Sequence, residues 1–251
     1  MSSLHAFELA AADGKLIRGD RSIGKDRQIL FITGFLSKRW GNKSKALAQW
    51  CEEKGWGFCC YDVRGFGDSE GQFIDYTLSD WIADARTVIR ALEAVSPITI
   101  VGNSLGGWIA WLMAQEFHQI ERLVLIAPAF NMMGVRARSI SEERRHAWLT
   151  AGWMPWDDDP AHKDWPLSWK WVEESEAYWK TSFDRLRHVN TTIVHGLQDS
   201  VILPGGSKQF VEQLLAKEVS FPVELDLIPG DHRLSSPKNM ERFHQLVVGQ
   251  P

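Results

Sequence analysis

Six short apolar runs, separated by segments of helical periodicity, constrain the fold of this chain more than any other feature. They cover residues 28–33 (QILFIT), 57–62 (GFCCYD), 98–102 (ITIVG), 122–127 (RLVLIA), 191–196 (TTIVHG) and 223–228 (VELDLI). Most are apolar at nearly every position, as a strand must be when a sheet is covered on both faces. Between them, residues 77–95 carry Leu78, Trp81, Ile82, Ala85, Val88, Ile89 and Leu92 at spacings of three and four, one stripe of an amphipathic helix. Thr77 suits the N-cap and Asp80 the first turn. Residues 43–54, 104–117, 205–217 and 237–248 read as further helices. This alternation predicts an α/β fold with a mostly parallel sheet and helices on both faces. Residues 4–18 suit an antiparallel hairpin at one edge.

One interval breaks the rhythm. Residues 129–190 contain no convincing strand, two or three helical patterns and an acidic turn, Asp157-Asp158-Asp159-Pro160, with Pro155, Pro160 and Pro166 dividing the stretch into short pieces. The chain has 13 tryptophans against three tyrosines, and seven of those tryptophans (Trp148, Trp153, Trp156, Trp165, Trp169, Trp171, Trp179) fall here. We therefore expect a core domain from residues 1–128 and 191–251, with 129–190 inserted as a helical lid or cap, since long insertions between strands are commonly functional. Most of the seven are expected to pack the insertion against the core. Trp153 and Trp156 are the candidates for facing substrate.

Gly102-Asn103-Ser104-Leu105-Gly106 has the form Gly-x-Ser-x-Gly. In a sharp strand-to-helix turn the flanking glycines remove β-carbons that would clash, and the serine hydroxyl stands above the sheet. The N–H of Leu105 can then face a developing oxyanion. Gly67-Asp68-Ser69-Glu70-Gly71 matches the same pattern, so context must decide. Ser104 directly follows an apolar strand and opens a helix with an apolar stripe. Ser69 comes seven residues after its strand, and the run after it, 72–76, is not helical. Ser104 is the candidate nucleophile and Ser69 a turn residue.

A serine hydroxyl needs a base. Of eight histidines, His232 follows the run VELDLI and the breaker Pro229-Gly230, and it precedes a helix. That is the carboxyl end of a strand, where ligands gather in open α/β sheets. His195 ends a strand beside Gly196, where a structural or turn role is expected. The carboxylate that orients the base is expected to be Asp199, which follows the strand 191–196; Asp231 is a rival, but neighbouring side chains seldom point at one another. Ser104, Asp199 and His232 then run in the chain order of this kind of site. The loop after the strand 28–33, Gly34-Phe35-Leu36-Ser37, offers the N–H of Phe35 as a second oxyanion donor.

The net charge of −4 argues against nucleic acid or an anionic membrane surface as the main partner. No window nears the about 18 apolar residues of a membrane span. There is no zinc signature, no Walker loop and no Gly-x-Gly-x-x-Gly after a strand, so no metal or cofactor is expected. Three cysteines, Cys51, Cys59 and Cys60, without a Cys-x-x-Cys, suggest reduced thiols. Residues 1–14 lack a basic region followed by an apolar stretch. The expected location is the cytoplasm.

Taken together these residues resemble the α/β-hydrolase family of serine hydrolases. Asp62-Val63-Arg64-Gly65-Phe66-Gly67-Asp68-Ser69 is similar to the family's Asp-x-Arg-Gly-x-Gly-x-Ser turn, His195-Gly196-x-x-Asp199 to its acid motif, and Gly230-Asp231-His232 to its histidine motif. Gly34-Phe35-Leu36-Ser37, Ser104-Leu105-Gly106-Gly107-Trp108 and Asp231-His232-Arg233 further resemble the branch that includes palmitoyl-protein thioesterases. Thr33 departs from it, standing where many relatives have histidine. The resemblance implies hydrolysis of carboxylic esters or thioesters of small acyl substrates through an acyl-enzyme. The alternatives are a carbon–carbon bond hydrolase, a lactonase or a peptidase on the same triad, or a non-catalytic ligand-binding member of the fold.

Overall fold

The computed structural model describes residues 3–92, 97–156 and 165–249. In chain order its elements are β1 (His5–Ala10), β2 (Leu16–Ser22), β3 (Gln28–Ile32), α1 (Asn42–Lys54), β4 (Gly57–Tyr61), α2 (Leu78–Ala91), β5 (Ile98–Asn103), α3 (Leu105–Glu116) and β6 (Ile120–Ile126). They continue with α4 (Met132–Ser139), α5 (Glu142–Ala151), β7 (Trp153–Pro155), β8 (Pro166–Ser168), α6 (Lys170–Thr181), β9 (Asn190–Gly196), α7 (Pro204–Lys217), β10 (Val223–Ile228) and α8 (Pro237–Val248). All six apolar runs are strands. The expected helix over 77–95 ends at Ala91 within the described residues; 93–95 and the acidic turn 157–160 lie outside them.

Among the described residues one eight-stranded sheet runs in the order β1-β2-β4-β3-β5-β6-β9-β10. The hairpin β1-β2 and its junction with β4 are antiparallel; every other pairing is parallel. Successive strand residues serve opposite cores, as the period of two requires. Leu30, Ile32, Ile100, Leu123 and Leu125 meet α2, α3 and α7 on one face. Ile29, Phe31, Val101, Val124 and Ile126 meet α1 and α8 on the other. Burying both faces accounts for the unbroken apolar runs.

The strand order places the site. From β3 the chain steps outward to β4, then returns to lay β5 on β3's other side. Loops leaving β3 and β5 therefore diverge at a switch point, where a crevice opens at the strands' carboxyl ends. Ile32 pairs with Gly102, so the residues that follow, 33–35 and 103–105, emerge side by side.

α2 starts as expected: the Asp80 carboxylate accepts from Thr77 N–H at 2.8 Å, a capping box. Two local expectations need correction. Phe73–Asp75 makes one 3₁₀ turn inside a run expected to lack helix. Among the described residues, the interval between β6 and β9 holds three helices and also an antiparallel ribbon, β7 with β8. Its strands are three residues long, too short for a period-two signal, and its partners are separated in sequence. No helix among the described residues is long and apolar enough to cross a membrane.

Candidate active site

Ser104 stands between β5 and α3 with φ 53° and ψ −120°. Such a conformation costs about 1–3 kcal/mol for a residue with a β-carbon and must be held by its surroundings. Ser104 N–H donates to Ile126 O at 2.8 Å, and its carbonyl accepts from Gly107 N–H at 2.9 Å and Ala129 N–H at 3.0 Å. The glycines let the turn close. A β-carbon at Gly106 would lie 2.3 Å from the carbonyl oxygens of Ile32 and Thr33, and one at Gly102 would lie 2.5 Å from Gly106 O. Gly34 faces the elbow from β3's loop, where a β-carbon would stand 3.1 Å from Ser104 Cβ.

The other two residues arrive on adjacent loops. β9 and β10 end in register, Gly196 opposite Ile228. Their loops are then joined by Leu197 N–H to Ile228 O at 2.8 Å, Gln198 N–H to Gly230 O at 2.9 Å, and Gly230 N–H to Gln198 Oε1 at 2.7 Å. This lacing brings Asp199 Oδ2 to 2.7 Å from His232 Nδ1, while His232 Nε2 lies 3.1 Å from Ser104 Oγ. With the His232 Nδ1 hydrogen on the carboxylate, Nε2 is free to accept from the serine hydroxyl. Asp231 spends its carboxylate on its own loop, accepting from Arg233 N–H at 3.1 Å and Leu234 N–H at 3.0 Å.

Burial acts to raise the Asp199 carboxyl, but hydrogen bonds from His195, His232 and the Ile202 N–H outweigh it and hold the group well below the usual carboxylate range. It is thus a fixed negative charge beside His232, suited to steadying an imidazolium.

Phe35 follows Gly34, next to the elbow. Its ring sits among four aromatic rings, with centres 5.6 Å from Trp81, 5.9 Å from Phe73, 5.4 Å from Trp171 and 5.2 Å from Trp156. Leu36 behind it has φ 51°. Arg39 pins the far end of this loop: it binds Asp20 and Asp68 at 2.7 Å and pairs with Asp62, whose Oδ1 also accepts from Arg39 N–H at 2.6 Å. Leu105 is the first residue of α3, so its N–H is one of the helix's four without a partner inside the helix.

The two candidate substrate tryptophans separate. Trp156 leans on Phe35 and carries the Arg136 guanidinium 4.5 Å over its ring. Trp153 is 55% exposed on β7. Trp148 and Trp171 are buried, Trp148 with its indole N–H on Leu167 O at 2.8 Å. Ser69 is a turn residue: its hydroxyl donates to Asp62 O at 2.6 Å and accepts from Arg18 N–H at 2.8 Å.

One residue of the site was not anticipated. His195 is fully buried, with Nε2 3.1 Å from Asp199 Oδ2. The spacing from His195 to Asp199 holds the signal, but only the turn after Gly196 folds the two side chains together.

A family model described as serine aminopeptidase, S33, matches residues 25–179. The chain belongs to this family. The matched stretch includes the Ser104 elbow, while Asp199 and His232 lie beyond it. Among curated relatives, the bovine mitochondrial palmitoyl-protein thioesterase ABHD10 is 23% identical over 220 residues, 87% of this chain and 71% of the relative. The mouse protein of that name is 24% identical over 226 residues, 89% and 74% of the two chains. Among solved structures, mouse α/β hydrolase domain-containing protein 10 superposes with a TM-score of 0.83 at 23% identity, covering 97% of both chains. A putative hydrolase from Agrobacterium vitis S4 superposes at 0.86 and 23% identity, covering 99% of this chain and 98% of that one. The fold is the α/β-hydrolase fold.

Proposed function

We propose that this hydrolase cleaves carboxylic esters or thioesters of small acyl substrates, with Ser104 as nucleophile, His232 as general base and Asp199 as its orienting carboxylate. One observation carries the reading: Ser104 Oγ, His232 and Asp199 form an unbroken hydrogen-bonded chain at the crevice above the switch point, at 3.1 and 2.7 Å. Ser104 Oγ attacks the acyl carbonyl while His232 Nε2 takes its proton. The N–H groups of Phe35 and Leu105 receive the oxyanion. His232 then returns the proton to the departing alkoxide or thiolate, leaving an acyl-serine. Water activated by His232 releases the acid.

The thioester arm draws support from the relatives, which are named palmitoyl-protein thioesterases. Residues 129–190 serve as a lid in this reading. Trp156 borders the acyl site through its contact with Phe35; Trp153 contributes from the rim. A peptidase reading has one observation in its favour, the family model's description. We place the protein in the cytoplasm, a reading supported by three buried free thiols, Cys51, Cys59 and Cys60.

A fluorophosphonate probe tests the nucleophile: wild type is labelled and Ser104→Ala is not. Labelling that persists in the variant overturns the assignment. A panel of p-nitrophenyl esters, acyl thioesters of graded chain length and aminoacyl amides then ranks the substrate classes. Turnover of the amides above all acyl substrates would move the assignment to a peptidase.

A further inference from the structure

We propose that His195 is a second histidine of the reaction, a positioning residue that acts through Asp199 and tempers how strongly that carboxylate pulls on His232. The inference rests on the triad reading above and deepens it.

The period of two along β9 turns His195 to the same face as Ile193, toward α7. Its Nδ1 lies 2.8 Å from Ser207 Oγ on α7. Its Nε2 faces two oxygens, Asp199 Oδ2 at 3.1 Å and Ile202 O at 2.8 Å. Neither oxygen can donate, so Nε2 carries a hydrogen, and in the neutral ring Nδ1 accepts from the Ser207 hydroxyl. The ring is fully buried and so is Ser207.

Asp199 Oδ2 is therefore shared. It accepts from His232 at 2.7 Å and from His195 at 3.1 Å. Oδ1 is occupied by the N–H groups of Val201 at 2.9 Å and Ile202 at 2.8 Å. These two backbone bonds keep the carboxylate in place without His195, so the role left to His195 is electrostatic. Each added donor spreads the carboxylate's charge and weakens its hold on the His232 imidazolium. A base held too strongly as imidazolium is already protonated near neutral pH and cannot accept the serine proton.

Other charged groups around His232 act differently. Asp231 and Arg233 flank it on its own loop, with Asp231's carboxylate bound to loop N–H groups. From α1, Lys43 Nζ donates to the Arg233 carbonyl. Burial pushes the Lys43 ammonium down to about 8, against the pull of Asp231.

The test is the pH profile of kcat/KM for a p-nitrophenyl ester in wild type, His195→Met and His195→Gln, with Ser104→Ala in parallel. His195→Met fills the volume but removes the donor, and should move the acid limb up by about 0.5 to 1 pH unit with KM little changed. His195→Gln places an amide N–H near the lost Nε2–H and should restore most of the shift. If the Met variant does not fold, Ser207→Ala, which frees the ring to turn, should move the limb the same way by a smaller amount. An acid limb that stays put or moves down in folded variants, or that moves as far in Gln as in Met, overturns the role of His195 while loss of turnover in Ser104→Ala leaves the triad standing. Turnover that survives Ser104→Ala overturns the triad reading and this one with it.

Discussion

Residues 102–106 and 67–71 spell the same five-residue pattern, yet the two serines do opposite things with their hydroxyls. Ser69 Oγ is saturated: it donates to Asp62 O and accepts from Arg18 N–H, inside a turn that winds around the Asp62 carboxylate. Ser104 Oγ meets an imidazole nitrogen instead. The difference lies in what precedes each serine. β5 runs to Asn103 and the chain turns at once into α3, so Ser104 must take a positive φ and stand clear of the strand. β4 stops at Tyr61 and seven residues intervene before Ser69. Those residues tie Asp62 to Arg39 and so brace the Phe35 loop. One copy turns its hydroxyl to an imidazole; the other holds a neighbouring loop in place. A pentapeptide frame of glycines and serine thus acquires its role from the strand end that delivers it.

The largest expected effect separates the two serines directly. Ser104→Ala should lower kcat by about a thousandfold or more, as loss of a nucleophile does. Ser69→Ala should leave kcat within about twofold and cost about 1–3 kcal/mol in urea unfolding, since it strands a buried carbonyl and a backbone N–H. Equal kinetic losses would erase the contrast. The glycines sharpen it next. Alanine at Gly106 sets a β-carbon against backbone of β3's end, which cannot retreat, and should cost upward of about 4 kcal/mol or prevent folding. Alanine at Gly71 meets the Tyr76 ring, a side chain that can shift, at φ 95°, and should cost about 1–3 kcal/mol. Chemical denaturation of both variants ranks them.

The smallest effect concerns the stretch between β6 and β9, whose tryptophans touch both turns. Trp156 rests on Phe35 beside the elbow, while Trp165 rests on Phe66 and Phe73 at the Ser69 turn. Trp156→Ala should change the ratio of long-chain to short-chain ester turnover by about three- to tenfold. An apolar pocket discriminates only modestly between chains that differ by a few methylenes. Trp165→Ala should lower Tm and leave the ratio unchanged. A chain-length ratio that shifts equally in both variants would mean that these tryptophans act on the site only through stability.

Much of the fold is legible in the sequence because its strands are buried on both sides. All six apolar runs emerge as strands with ends within two residues of expectation, and the helix over 237–248 matches at both ends. The ribbon of β7 and β8 was not legible: two three-residue strands that include Pro155 and Pro166 carry no periodic signal, and their pairing depends on where the chain returns. Nor could sequence separate Trp153 from Trp156, three residues apart, one exposed and the other against Phe35.

For the site, the local pattern by itself determined which residues stand at strand ends. Ser104, Asp199, His232 and Phe35 each follow an apolar run that a glycine or a turn terminates, and backbone sterics make that readable from neighbours alone. Only the tertiary structure decided which of those side chains meet. The approach of His232 to Ser104 follows from parallel register between strands far apart in the chain, and that of His195 to Asp199 from the turn after Gly196, which its hydrogen bonds to the β10 loop hold in place. Both are properties of the assembled sheet, set when its two faces are buried.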